Sequence, residues 1–169
     1  DNVVLRANGT GGATAQGSSV IITDGPILAV NDCANASMTI GQTLTQGAND
    51  NEIQSYKSSD VAHGMTDITE TDTYGFVKKH TGSIGGLSIT GFRDAGCGYP
   101  ATELRGFVAD APAGDRDTNT NGAINMIVAV KSTACITGIG AAENDFVLKN
   151  NSTVRFIIQG DGDVFYYGS

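Results

Sequence analysis

Chemistry in this sequence has few places to come from. The densest is Asp60-Val61-Ala62-His63-Gly64-Met65-Thr66-Asp67-Ile68-Thr69-Glu70-Thr71-Asp72, which holds four carboxylates and one of only two histidines. Hard divalent cations take several carboxylate oxygens, so Asp60, Asp67, Glu70 and Asp72 with His63 form the candidate cation site. Their spacing does not match an EF-hand loop. A polar loop whose Asp and Thr side chains cap its own backbone accounts for the same residues, and no metal ligand is assigned. Gly160-Asp161-Gly162-Asp163 has the composition of a Ca²⁺-binding Gly-Asp repeat, but a β-roll needs that element many times and here it occurs once. The expectation there is a tight hairpin turn.

Nucleophilic catalysis has no better footing. No G-x-S-x-G elbow is present; Gly86-Leu87-Ser88-Ile89-Thr90 comes nearest and lacks the final glycine. Cys97 sits in Gly96-Cys97-Gly98, which could expose a thiol, yet no adjacent cation would lower its pKa. His63 and His80 are candidate bases without a partner visible in sequence. Eighteen Asp and Glu make some carboxylate pair inevitable, so a glycosidase-type pair carries no signal. There is no P-loop and no dinucleotide-binding glycine motif. The chain is therefore expected to be no enzyme, with no catalytic, cofactor-binding or metal residues. Tyr56, Tyr74, Tyr99, Tyr166 and Tyr167 are candidates for stacking on sugars; Tyr166-Tyr167 reads instead as strand filler with a ring on each face. Cys33, Cys97 and Cys135 are too scattered for a zinc site. An odd count leaves a free thiol or a bond to another chain, and one disulfide among the three is expected in an oxidising exterior.

The elements that would position these residues are short. Glycine makes up 23 of 169 residues, against roughly 7% ordinarily, without a period of three. Only 17% of residues are charged, and mean hydropathy is −0.08, so the polarity comes from Asn, Ser, Thr and Gly. Ten Lys and Arg against eighteen Asp and Glu give a net charge of −8. That excludes the basic face nucleic-acid binding needs and disfavours docking on anionic lipid. No apolar run reaches membrane-span length. The N-terminus lacks Met and a signal peptide, so the chain reads as processed or as part of something longer.

Strand signals recur at Val3–Leu5, Val20–Ile22, Ile27–Val30, Met38–Ile40, Thr43–Thr45, Tyr74–Val77, Leu87–Thr90, Leu104–Val108, Ile124–Val130, Phe146–Leu148, Val154–Ile158 and Val164–Tyr167. Ile124–Val130, apolar on both faces apart from Asn125, predicts a central buried strand. Val154–Ile158 shows strand alternation. The window Ala48–His63 is thin for an amphipathic helix but leaves room for a short one capped by Asn49 or Asp50. Asn2–Thr10 and Asp145–Thr153 echo each other as apolar strand, basic residue and turn, each leading to a second apolar strand. Asp24-Gly25-Pro26 reads as a sharp reversal. Ala111–Gly122 lacks any sizeable apolar residue and reads as a surface loop open to contacts, as does Gly96–Pro100. The fold class predicted is all-β: a short-strand sandwich or β-prism-like fibre domain with shaft-like N-terminal strands. The domains expected are a shaft-like β segment over 1–45 and a β-sandwich-like globular domain over 46–169.

Several of these runs also resemble a known family. Lys57-Ser58-Ser59-Asp60-Val61-Ala62-His63-Gly64-Met65-Thr66-Asp67, continuing through Thr69–Gly75, is similar to a segment of bacteriophage fibre-like structural proteins of tails or heads. So are Gly85–Arg93 and the closing Asn151–Asp163, while Asn2–Gly12 looks like the start of a fibre shaft repeat. These cover much of the chain; the central run is the specific part and the shaft-like pieces are generic. The resemblance implies an extracellular or virion-borne all-β structural protein, a homotrimer in contact with other virion proteins, with attachment to a host-surface glycan or protein as a role open to it. It supplies no catalytic residue or receptor site. The alternative class is a subunit of a bacterial extracellular filament, built by open head-to-tail contacts.

Overall fold

The computed structural model describes residues 3–7, 15–22, 27–32, 35–96, 98–112, 114 and 120–168. They form twelve strands and no helix, so the all-β expectation holds. The strands make four small sheets, none closed into a barrel, and strand packing runs between hydrogen-bonded neighbours. The chain divides into two units, Asp1–Glu103 and Leu104–Ser169. The boundary expected at 45/46 falls within the first.

In the first unit, β1 (Val3–Ala7), β2 (Ala15–Ile22), β3 (Ile27–Val30) and β4 (Gly41–Leu44) lie in that order in one sheet. β1, β2 and β3 are antiparallel neighbours, whereas β3 and β4 run parallel, with Ala29 opposite Thr43. A parallel partner needs a crossover rather than a tight turn, and residues 31–40 supply it. Met38–Ile40 therefore belongs to the crossover, and only the part of the expected pair beginning at Gly41 is strand. The crossover is tied back by Asn35 Nδ2 donating to Thr43 Oγ1 at 3.3 Å and by Thr45 Oγ1 donating to Asp32 at 2.9 Å. Ala29, at the centre of this sheet, is buried. The reversal expected at Asp24-Gly25-Pro26 lies outside the described residues.

The second sheet of this unit is β5 (Glu52–Lys57), β6 (Thr73–Thr81) and β7 (Gly85–Gly91), antiparallel with β6 central. β5 replaces the short helix for which the sequence left room. Its Ile53 and Tyr56 are too few to make a helix face, and pairing to β6 decides its state. The core sits here: Phe76 is 3% exposed, Phe92 just beyond β7 is buried, and so is the polar Thr73. Phe76 and Phe92 meet at 5.5 Å between ring centroids. Gly91 has to be glycine, because a Cβ there would overlap the carbonyl of Ala101.

The second unit contains a hairpin, β8 (Val130–Ser132) with β9 (Cys135–Thr137), and a three-stranded antiparallel sheet, β10 (Asn144–Asn150), β11 (Thr153–Gln159) and β12 (Val164–Tyr166). The two segments of the internal echo each contribute the first strand of an antiparallel pair, β1 with β2 and β10 with β11. Asn150 pairs with Thr153 across Asn151-Ser152, and Asn151 takes φ 53°, a left-handed value that Asn tolerates. The Gly160–Asp163 hairpin turn is present: Gly162 has φ 88°, Gly162 N–H donates to the Gln159 carbonyl at 2.8 Å, and Asp163 N–H donates to Asp161 Oδ1 at 3.0 Å.

Two expectations are overturned in this unit. Leu104–Val108 is not a strand, and Ile124–Ala129 is neither strand nor buried. The reason is the same for both: among the described residues no strand of this chain pairs with them, so an apolar run that could fill a sheet centre stays open. β11 is a strand, but its alternation does not sort it into a wet and a dry face, since every residue from Val154 to Gln159 is half-buried. No described residue from Leu104 onward is buried.

Candidate functional site

The acidic stretch singled out in the sequence is the loop 58–72 joining β5 to β6. Its ends are closed by Ser58 N–H donating to the Asp72 carbonyl at 2.9 Å, which makes it a compact loop of the Ω type. Internal turns follow the capping chemistry of its residues: Val61 N–H donates to the Ser58 carbonyl at 3.1 Å, Ile68 N–H to Met65 at 3.1 Å, and Thr73 N–H to Glu70 at 3.0 Å.

The four carboxylates do not converge. Asp60 accepts from the Ser58 hydroxyl. Glu70 and Asp72 both grip the ammonium of Lys57 at the end of β5, the Asp72 contact at 3.1 Å. The hydrogen bond to Glu70, then that to Asp72, raises the Lys57 pKa above its ordinary 10.5. Asp67 lines an open groove of about 840 Å³ together with Glu52, Lys57, Glu70, Phe76 and Lys78. Across that groove Thr69 donates to Glu52 at 2.6 Å, and the Lys78 ammonium stands 5.4 Å from the Phe76 ring. Among the described residues no group of three or more His, Cys, Asp or Glu is placed to hold a metal. The loop spends its polar groups on its own conformation.

His63 serves the same end. Its Nδ1 accepts from Met65 N–H at 2.9 Å, and its ring stacks on Phe92 at 4.9 Å and 25°. With Nδ1 accepting, a neutral ring carries its proton on Nε2, which is buried without a hydrogen-bond partner. The aromatic series His63, Phe92, Phe76 thus anchors the loop onto the β5–β7 sheet. His80 is exposed on β6. Among the described residues no hydrogen bond joins either histidine to a carboxylate or a nucleophile.

The remaining candidates are dispersed. Cys135 is an exposed free thiol in β9, while Cys33 and Cys97, the other two candidates for the one expected disulfide, lie outside the described residues. Tyr56 and Tyr74 approach to 6.1 Å, both partly exposed, and Tyr99, Tyr166 and Tyr167 are exposed. Within 111–122 the described residues 111, 112, 114 and 120–122 are exposed; the rest lie outside the described set. Missing from the sequence reading is Lys57, a cation at a strand end facing the acid-rich loop, whose position was its only signal.

The chemistry this molecule leaves unmatched is apolar. Phe146, Leu148, Phe156, Ile158, Val164 and Tyr166 share one face of the β10–β12 sheet by register, and Val147, Ile157 and Phe165 share the other. Both faces carry exposed large side chains, and Phe146 meets Phe156 edge to face at 6.3 Å. No protein-family model matches the chain, and no curated protein or solved structure is significantly similar to it.

Proposed function

We propose that this chain is a non-enzymatic structural subunit of an extracellular fibre, in first place a bacteriophage tail or head fibre, and that it works as a homotrimer. One observation carries the reading: no described residue of the second unit is buried, although its sheet is apolar on both faces. A sheet must bury an apolar face against another layer, and the described residues of the second unit supply none. Other copies are the simplest source of the missing layer. The self-satisfied polar loop 58–72 and the resemblance to phage fibre segments support a structural role over a catalytic one. Attachment to a host surface would fall to the exposed loops, where weak contacts multiply in a trimer through effective concentration.

The test is localisation. An antibody against the chain, applied to purified particles from the native source, should mark fibres in electron micrographs. Label on bacterial filaments without particles would assign it to the filament class instead. A cytoplasmic protein turning over surface glycans, with activity lost in His63→Ala, would overturn the structural reading altogether.

A further inference from the structure

Asn-Gly occurs twice in the chain, at Asn8-Gly9 and Asn121-Gly122. The second pair lies among the described residues, exposed, at the end of the 111–122 loop. Such a pair has a reaction of its own. The backbone nitrogen of the glycine can attack the side-chain carbonyl carbon of the asparagine, because no Cβ on the glycine obstructs the approach. Two things hold the rate down: the nitrogen is a poor nucleophile while it keeps its proton, and the carbonyl oxygen must take on negative charge. Here one side chain touches both groups. Gly122 N–H donates to Asn125 Oδ1 at 2.8 Å, and Asn125 Nδ2 donates to Asn121 Oδ1 at 2.8 Å. The acceptor aims the N–H and leaves the nitrogen more electron-rich. The donor sits on the oxygen where charge develops, which stabilises the transition state. Held by the same amide, the reacting groups are also restrained relative to each other.

We propose that Asn121 is a self-modifying site and that Asn125 promotes its reaction. Gly122 N bonds to Asn121 Cγ and gives its proton to solvent water. The Asn121 side-chain nitrogen then leaves as ammonia, taking a proton back from water. Solvent water opens the cyclic imide at either carbonyl, which yields an aspartate or an isoaspartate at position 121. The balance is one water consumed, one ammonia released and one carboxylate gained, with no oxidant or reductant. Exposure of the pair keeps that water at hand. The product adds one negative charge to the −8 of the chain, and the isoaspartate form also lengthens the backbone by one methylene. The chemistry stands apart from the fibre reading. On that reading, the change falls at the end of a loop offered for host contact, so the charge presented there alters irreversibly with the age of the particle.

Peptide mass spectrometry of the full chain, aged at neutral pH in native buffer and in denaturant, tests this. The peptide holding Asn121 is read for exchange of an amide for an acid, with isoaspartate scored separately. Any Asn-Gly pair reacts slowly in an open chain, so the denatured sample gives the rate without the Asn125 contacts. The expected result is conversion at Asn121 at least about tenfold faster in native buffer, below the 100-fold or more that one aimed donor supplies in a closed site, because this one is open to water. Asn125→Ala removes both contacts and should bring the native rate down to the denatured one. Asn125→Asp keeps an acceptor for Gly122 N–H but no donor for Asn121, and should lose most of the excess. Native conversion as slow as the denatured chain's, or slower, overturns the proposal without reliance on any variant. A fast native rate that survives both Asn125 substitutions overturns it as well, since the acceleration then owes nothing to that side chain.

Discussion

Lys57 is where the charges of the 58–72 loop are balanced, and its titration follows from that. Glu70 and Asp72 favour the ammonium form and raise its pKa above 10.5 in the folded chain. The sign is that of any cation gaining partners on folding: the stabilisation is complete below the unfolded value of 10.5 and is lost as pH rises through the higher folded value. The group is exposed, so the effect on stability is small and confined to alkaline pH. An NMR titration of the Lys57 side chain should give a midpoint above 10.5 that falls in Glu70→Gln, with Asp72 holding part of the shift. A midpoint that does not move would mean the pair is absent in solution. Phe76 is the opposite case, a residue whose worth is packing. It is 3% exposed against Phe92, and Phe76→Ala should cost about 3–5 kcal/mol, the usual range for a buried Phe, read by urea denaturation. A cost below about 1 kcal/mol would show that the β5–β7 sheet is not the core of the first unit.

Turns are the elements most sharply specified. The β11–β12 turn needs φ 88° at Gly162, and Gly162→Ala should destabilise by about 1 kcal/mol, since Ala resists that region. Asn151→Gly should be neutral within about 0.5 kcal/mol, because glycine accepts the same left-handed value. Equal effects of the two substitutions would contradict the turn geometry. These turns were legible because Gly, Asn and Asp announce themselves in sequence, and so were β6, β7, β10, β11 and β12, apolar or β-branched runs lying between such signals. β5 was not: Glu52-Ile53-Gln54-Ser55-Tyr56-Lys57 has little apolar pattern of its own, and β6 imposes its conformation. Ile124–Val130 failed for the reverse reason. Its composition fits a sheet centre, but composition does not say which chain brings the neighbouring strands. For the acidic loop, the residues were plain in sequence and their partners were not, because Lys57 meets Glu70 and Asp72 only after the loop has closed.

At the scale of the whole molecule, the homo-oligomer proposed above makes two solution properties follow. The melting temperature should rise with protein concentration, because copies binding only the folded state stabilise it by mass action. A Tm constant over a hundredfold dilution would contradict assembly as the source of the missing core. Three copies at −8 each bring −24 together, so added salt, which screens exposed charges beyond about 10 Å at 0.1 M, should strengthen association. Sedimentation at low and moderate ionic strength checks this, and weaker association at higher salt would point to contacts made by ion pairs instead.

The absence of any buried residue among those described in the second unit also sets an order of events at birth. The first unit leaves the ribosome first, carrying a nucleus of its own in Phe76 and Phe92. On the oligomer proposed above, the unit behind it, with none of its described residues buried, waits as an open chain for its sister chains. During that interval a protease should cut beyond Glu103 and spare what precedes it. The interval, and with it the yield of intact chain, should be governed by how crowded the newly made copies are.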